Sequence, residues 1–459
     1  MHFDTSPPPK ASDMTGPWYA GLTRYHWFVL AVAALGWMFD TMDQQIFTLA
    51  RTPALTELLG VTSKSPLLPK YEGYATSIFM IGWALGGILF GVMGDRIGRA
   101  RTMMITILVY SIFTGLSALS RGFADFAAYR FMTGLGVGGE FAVGVALVAE
   151  VMPDRARARA LGWVQASSAL GNMIAGTVSI ALGFLVVGSS WRIMFIIGTL
   201  PAILAILIRR KLKEPERWTK TVTTTKDEKL GSIRELFTDP RWRRNTIVGM
   251  LLAFSGVVGL WGIGFYSPRL IRQVFEETFT NEGKLRGLTG TALAGFVESK
   301  KTLWTGINSL IQNFGGFWGV YAFSRITQHT GRKPAFAVSF VIAMVATAFT
   351  FWFLNSFSDI FWMIPIMGFC QMTLFGGYAI YFPELFPTRL RSTGTSFCYN
   401  VGRLVAALGP FVLGMLESVV YKGTAYPLRY AGVTMCAAFL IGLVALPFAP
   451  ETQGKPLPE

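Results

Sequence analysis

Apolar runs of membrane-crossing length recur along the chain, among them Ile78 to Met93, Met103 to Leu119 and Ala335 to Leu354. Each approaches the ~20 residues that an α-helix needs to cross a bilayer. The rest of the composition agrees: of 459 residues, 52% are hydrophobic and 15% charged, against about 25% charged in soluble domains. A soluble enzyme and a disordered chain are both excluded. The three cysteines, Cys370, Cys398 and Cys436, lie inside apolar runs and read as small buried hydrophobes rather than a disulfide framework. The first 25 residues are polar, with no apolar stretch leading to a cleavage site, so the first apolar run is expected to be a retained helix. No Asn-x-Ser/Thr acceptor occurs, which favours a bacterial setting.

Periodicity and hydropathy give twelve candidate helices, centred near residues 37, 83, 111, 139, 171, 200, 256, 313, 345, 371, 404 and 439. An even number puts both termini on one side. The segments on that side carry 26 Lys and Arg against 12 on the other, which predicts cytoplasmic termini. The same asymmetry accounts for the net charge of +15 without nucleic acid as a partner. The expected organisation is a tail (1–25), a six-helix bundle (26–208), a basic linker with short surface helices (209–244), a second six-helix bundle (245–450) and a tail (451–459).

The two bundles repeat one another. Gly98-Arg99 recurs as Gly331-Arg332 at an offset of 233, and Glu150-x-x-Pro153-x-Arg155-x-Arg157 recurs as Glu384-x-x-Pro387-x-Arg389-x-Arg391 at 234. Two dissimilar motifs sharing one offset predict two parallel repeats with a cavity between halves that rock about it.

These residues resemble the major facilitator superfamily over nearly the whole chain. The loop Gly94-Asp95-Arg96-Ile97-Gly98-Arg99-Ala100-Arg101 looks like its signature between helices two and three, and Arg325 to Lys333 is similar to the second copy. Tyr129-Arg130-Phe131-x-x-Gly134-x-Gly136-x-Gly138-Gly139-Glu140 and Pro450-Glu451-Thr452-x-Gly454-Lys455 look like the sugar-porter and metabolite:proton symporter branch. The stretch Phe39-Asp40-Thr41-Met42-Asp43 resembles aromatic-acid, sialic-acid and lactate symporters. At the cytoplasmic ends, Arg96, Arg99, Arg155, Arg157, Arg325, Arg332, Arg389 and Arg391 can bind Asp95, Glu150, Glu384 and helix C-terminal carbonyls, forming a gate when the inner face is closed.

Ionisable groups at membrane depth are functional candidates, and here they are Asp40 and Asp43 on helix one, Arg130 and Glu140 on helix four, and Arg403 on helix eleven. With histidines only at 2, 26 and 329, an intramembrane proton carrier has to be a carboxylate. Helix one is expected to end near Leu49, which puts Asp43 ~9 Å below its outer end at the depth of Arg130. Asp43 and Arg130 are therefore the expected ion pair. The resemblance implies a helix-one aspartate paired with Arg130, for which Asp40 is the other candidate. Arg403 needs an anion, supplied either by Glu140 or an aspartate, or by a carboxylate substrate in each cycle. Gln44, Gln45, Gln165, Asn172, Gln312, Asn313, Gln371 and Asn400, with Trp261, Tyr266, Trp304 and Tyr378, are the candidate cavity lining, with interhelical packing as the competing role. Gly134-x-Gly136-x-x-Gly139 matches a dinucleotide fingerprint but follows no strand, so close helix packing explains it. No metal, cofactor or ATP-hydrolysis motif is present.

The expectation is a monomeric, non-enzymatic carrier in the bacterial inner membrane, whose partners are protons, a small molecule and the lipid bilayer. Three functions compete: proton-coupled symport of a small organic anion, proton-coupled or facilitative transport of a sugar or polyol, and a sensor built on the same fold.

Overall fold

The computed structural model describes residues 17–61, 67–185, 190–203, 211–224, 229–263, 267–406 and 409–458. Helices and turns make up the described residues. The first half contains α1 (Arg24–Leu59), α2 (Leu67–Arg96), α3 (Arg99–Ser117), α4 (Phe123–Val151), α5 (Asp154–Leu185) and α6 (Ser190–Ile197). Two short helices, α7 (Glu216–Thr224) and α8 (Ile233–Thr238), lie in the linker. The second half runs through α9 (Pro240–Val257), α10 (Ser267–Val274), α11 (Glu276–Leu285), α12 (Gly290–Thr330), α13 (Arg332–Phe353), α14 (Phe357–Leu385), α15 (Arg391–Ala406), α16 (Gly409–Met415), α17 (Pro427–Met435) and α18 (Ala438–Ala445). The expected helix centres fall on these elements, except residue 200, which lies in the turn after α6.

Six described helical segments are long and apolar enough to cross a bilayer: Tyr71–Arg96, Arg99–Ser117, Phe123–Val151, Arg332–Phe353, Phe357–Leu385 and Pro427–Phe448. The long helices α1, α5 and α12 carry the polar residues instead: Asp40, Asp43, Gln44 and Gln45; Gln165 and Asn172; Asn308, Gln312 and Asn313. In a bilayer such faces have to turn inward on one another.

Within the first half α2 packs on α4, α3 on α4 and α1 on α5; within the second, α12 packs on α14, α9 on α15 and α13 on α14. Two seams join the halves, α2 against α15 and α5 against α12. They are equivalent under the repeat. Asp95 of α2 accepts from the backbone N–H (2.9 Å) and hydroxyl (2.6 Å) of Thr393, and at the offset positions Gln328 accepts from Arg159 at 2.8 Å. A repeat detected in sequence thus returns as one contact made twice.

Two expectations on element boundaries are corrected. Helix α1 does not stop near Leu49 but continues to Leu59, capped by Thr23 at its start and by Gly60 (φ 62°) at its end. Residues 268–301, expected as a connection, are largely helical: α10, α11 and the first turns of α12 fold into a cap. It is held by Lys300–Glu282 and Lys301–Glu276, both 2.9 Å, and by Phe275 stacked on Phe357 at 4.3 Å. Helices this short carry too few turns for their periodicity to stand out in sequence.

Candidate functional site

The intramembrane charges form two groups. In the first, Asp43 on α1 and Arg130 on α4 are fully buried, with Nη1 3.5 Å from Oδ2. That approach is long for a charge-assisted hydrogen bond, and neither of these two atoms has a hydrogen-bond partner. Hydroxyls hold each member, and that of Thr114 bridges the two. Arg130 donates to Ser117 (3.1 Å), Thr114 (3.0 Å) and Thr133 (2.8 Å), while the Thr114 hydroxyl donates to Asp43 Oδ1 at 2.6 Å. The guanidinium also lies 4.8 Å from the Phe195 ring centre. The pair can therefore open without leaving Arg130 unsupported.

The second group contains Asp40, Glu140 and Arg403. Glu140 Oε2 accepts from Thr106 at 2.7 Å, while Oε1 has no partner and points at Gly36, where a Cβ would sit 2.3 Å away. Gly36 lies one turn before Asp40, whose Oδ1 is also without a partner. Of the two anion sources open for Arg403, the permanent one is not formed: among the described residues it makes no ion pair with Glu140 or an aspartate. Its guanidinium carbon lies 4.0 Å from the ring centre of Trp83 of α2 and 4.1 Å from that of Tyr399 of α15, and its Nε has no hydrogen-bond partner. Tyr399 stacks on Phe141 at 4.6 Å, and Phe141 packs on Trp37 at 4.7 Å. An aromatic column thus crosses from one half to the other beside a buried cation.

Sequence reasoning missed Trp37, Trp83, Phe141 and Tyr399. Tyr399 stands four residues before Arg403, a helical spacing that could have flagged it. Trp83 carries no local signal, because the two halves meet only in three dimensions.

The expected polar lining divides. Gln165 Oε1 and Asn400 Oδ1 are buried without partners, and Asn172 donates to Asn313 across the seam at 3.0 Å. Gln371 is turned into the second half, donating to Thr347 at 2.9 Å, and Gln312 accepts from Ser267 at 3.2 Å. These two serve interhelical packing. Tyr378 likewise donates to the Leu252 carbonyl at 2.6 Å, and Trp304 stacks on Phe357 at 4.6 Å. Tyr266 lies outside the described residues.

At the end of α4, one carboxylate holds both halves. Glu150 Oε1 accepts from Arg99 at 2.9 Å and from Arg391 of the other half at 2.8 Å. Arg99 also pairs with Asp95 at 2.9 Å, and Asp95 accepts from the backbone N–H groups of Ser392 and Thr393 at the α15 N-terminus. In the second half Arg332 grips Glu384 with two bonds, 2.8 and 3.0 Å. Of the other arginines, Arg157 takes an expected helix C-terminal carbonyl, whereas Arg96, Arg325 and Arg389 take partners that were not expected. Arg96 donates to the Leu230 carbonyl, Arg157 to the Ala149 carbonyl and Asp154, Arg389 to Glu235 of the linker, and Arg325 to Tyr321 on its own helix; Arg155 is exposed. Two further glutamates, unassigned from sequence, cap the paired loops: Glu214 accepts from the backbone of Ala100 and Arg101, and Glu451 from Arg332 and Lys333. Burial pushes the Glu451 carboxyl up, but the N–H groups of residues 332, 333, 452 and 453 outweigh it and hold the group below the usual carboxylate range.

Residues 27–410 match the Major Facilitator Superfamily. The chain belongs to that superfamily. Its fold is similar to that of the proton:xylose symporter XylE of E. coli, with a TM-score of 0.73 and 17% identity over 94% of this chain and 98% of that one. In sequence it is similar to the cis,cis-muconate transport protein of Acinetobacter baylyi, 29% identical over 395 residues, 84% of this chain and 86% of that protein. The sialic acid transporter NanX of Escherichia coli is 26% identical over 435 residues, 93% and 96% of the two chains. A facilitator-superfamily chain is an integral membrane transporter of small molecules and not an enzyme. In this one Glu150 ties the two halves together through Arg99 and Arg391.

Proposed function

We propose that this facilitator is a proton-coupled symporter of a small organic anion, a monocarboxylate, aromatic acid or sialic-acid-like compound, working by alternating access. The two bundles, residues 26–208 and 245–450, would rock about the aromatic column. The observation that carries the proposal is Arg403, a buried, permanently charged group that forms no ion pair among the described residues, Asp40 being a carboxylate that acts on it without direct contact. A guanidinium matches a carboxylate by two parallel hydrogen bonds. A neutral sugar offers no such compensation. Relatives named for muconate and sialic acid transport support an anion.

For coupling, Asp43 takes the proton on the outward side and releases Arg130 to its hydroxyl partners. Asp40 and Glu140, facing each other near Arg403, are the remaining carboxylates along the way. A charged substrate and a proton then cross together, and return of the empty carrier requires Asp43 to lose its proton and re-pair with Arg130.

The test is uptake into proteoliposomes under an imposed inward proton gradient, with cis,cis-muconate, benzoate, N-acetylneuraminate, lactate and xylose compared. Accumulation of an acid that collapses with a protonophore is the expected result. Accumulation of xylose alone would overturn the anion assignment, and uptake indifferent to the gradient would overturn coupling.

A further inference from the structure

A cavity of about 790 Å³ lies away from the transport path, between the start of α9, the end of α14 and the C-terminal tail. Three exposed cations line it, Arg241, Arg244 and Lys455, and none forms an ion pair among the described residues. Arg244 uses only Nε, on the Phe448 carbonyl at 2.9 Å, and Arg241 rests on the Trp242 ring at 4.6 Å. The two carboxylates in the wall are already matched: Glu384 by the Arg332 fork and the Thr452 hydroxyl, Glu451 by backbone N–H groups. The α9 N-terminus adds nothing, because Asp239 caps it. The unmatched charge of the cavity is therefore cationic.

The surroundings select the anion. Ile247 and Leu251, one and two turns beyond Arg244 on its own face of α9, are exposed, as is Phe448 beside them. Phe448 closes Pro427–Phe448, a segment long and apolar enough to cross a bilayer, and exposed apolar residues at such an end mark hydrocarbon, so the cations stand at head-group level with acyl-chain surface directly below. Leu385 and Leu457 continue the apolar wall inside the cavity. A soluble phosphate would have no use for either surface.

We infer that this cavity is a binding site for the phosphate head group of an anionic phospholipid, held by Arg241, Arg244 and Lys455, with its acyl chains over Ile247, Leu251 and Phe448. The lipid ties the tail to α9. The tail's Pro458 carbonyl accepts from Arg391, the residue that reaches Glu150 across the halves. An occupied site thus favours the closed inner face.

Native mass spectrometry of the full chain in detergent, titrated with phosphatidylglycerol or phosphatidylcholine, tests this independently of substrate and of orientation. One phosphatidylglycerol per chain is expected, with phosphatidylcholine not retained. Replacing all three cations by Gln should weaken retention by about a hundredfold, from the typical contribution of each basic residue near a lipid surface. The variant Arg241→Lys with Arg244→Lys should restore retention in a chain that keeps Lys455. A control with Lys211, Lys220 and Lys229 changed to Gln removes the same charge elsewhere and should bind as the wild type does. Equal loss in that control would reduce the effect to general attraction and overturn the site, as would unchanged retention in the cavity variant. Displacement of the lipid by millimolar inorganic phosphate would overturn the lipid assignment in favour of a soluble anion.

Discussion

A buried arginine without a carboxylate is costly unless something else faces it, and Arg403 has two aromatic rings against it and a guanidinium edge suited to an anion. If the edge takes the substrate carboxylate, Arg403→Lys should weaken acid binding by about 2 kcal/mol, or roughly thirtyfold, since an ammonium cannot reproduce the fork or the stacking. Equilibrium binding of the transported acid measures this, and an unchanged affinity would return Arg403 to a structural role. Asp43 makes a separate prediction: Asp43→Asn should abolish accumulation driven by a pH gradient while leaving substrate exchange measurable, because exchange never returns an empty carrier. If Asp40→Asn gives that phenotype instead, the coupling site lies one turn away. The Asp43–Arg130 contact was legible in sequence because few ionisable groups occur at membrane depth, whereas the depth arithmetic rested on an end of α1 near Leu49 that in fact lies at Leu59. Which anion serves Arg403 was left open by the sequence for an equally physical reason. A cation can be held by aromatic faces, and one of those faces, Trp83, lies 320 positions away in the other half.

Glycine placement sets how closely the helices approach. At Gly138 a Cβ would stand 2.0 Å from the Trp83 carbonyl oxygen and 2.5 Å from the Gly87 nitrogen, both backbone atoms that cannot move without parting α2 from α4. Gly306 on α12, by contrast, has nothing within 4 Å of the same position. Gly138→Ala is therefore expected to abolish a monodisperse, folded product, whereas Gly306→Ala should fold normally and gain up to about 1 kcal/mol from helix propensity. Size-exclusion profiles and thermal unfolding of the two variants check this, and a well-behaved Gly138→Ala chain would contradict the packing. The same geometry explains why the dinucleotide-like spacing was correctly set aside. Cβ atoms at Gly134, Gly136 and Gly139 would meet the Phe79 carbonyl oxygen, the Tyr110 nitrogen and the Phe90 Cβ at 2.3, 2.6 and 2.2 Å. Element identity was readable from hydropathy. The cap of α10 and α11 was not, because its stability comes from salt bridges and aromatic contacts with distant residues rather than from its own periodicity.

At the scale of the molecule, the repeat offset foretold which loops would correspond but not that Glu150 would bind arginines from both halves, a feature of one conformational state. The pH response separates gate from coupling. Glu451, held below the usual carboxylate range, contributes fully above the ordinary glutamate value of about 4.3 and loses its contribution only as pH falls through its depressed value. Glu451→Gln should accordingly change the uptake rate by a constant factor between pH 5.5 and 8, leaving the shape of the profile to the intramembrane carboxylates. A profile that changes shape would place Glu451 in the proton path. Orientation is the last expectation to test. Lys and Arg are concentrated in the segments that share a side with the tail and linker, and loops rich in these residues stay in the cytoplasm because moving them across the membrane is unfavourable. The latch of Glu150, Arg99 and Arg391 then closes the cytoplasmic face, and the α10–α11 cap faces outward. A single cysteine in place of Lys284, in α11, should react with a membrane-impermeant maleimide added to intact cells. One in place of Lys220, in α7, should react only after permeabilisation. Labelling of Lys220→Cys in intact cells with protection of Lys284→Cys would invert the molecule, and with it the direction in which the latch and the Asp43–Arg130 pair face the proton gradient.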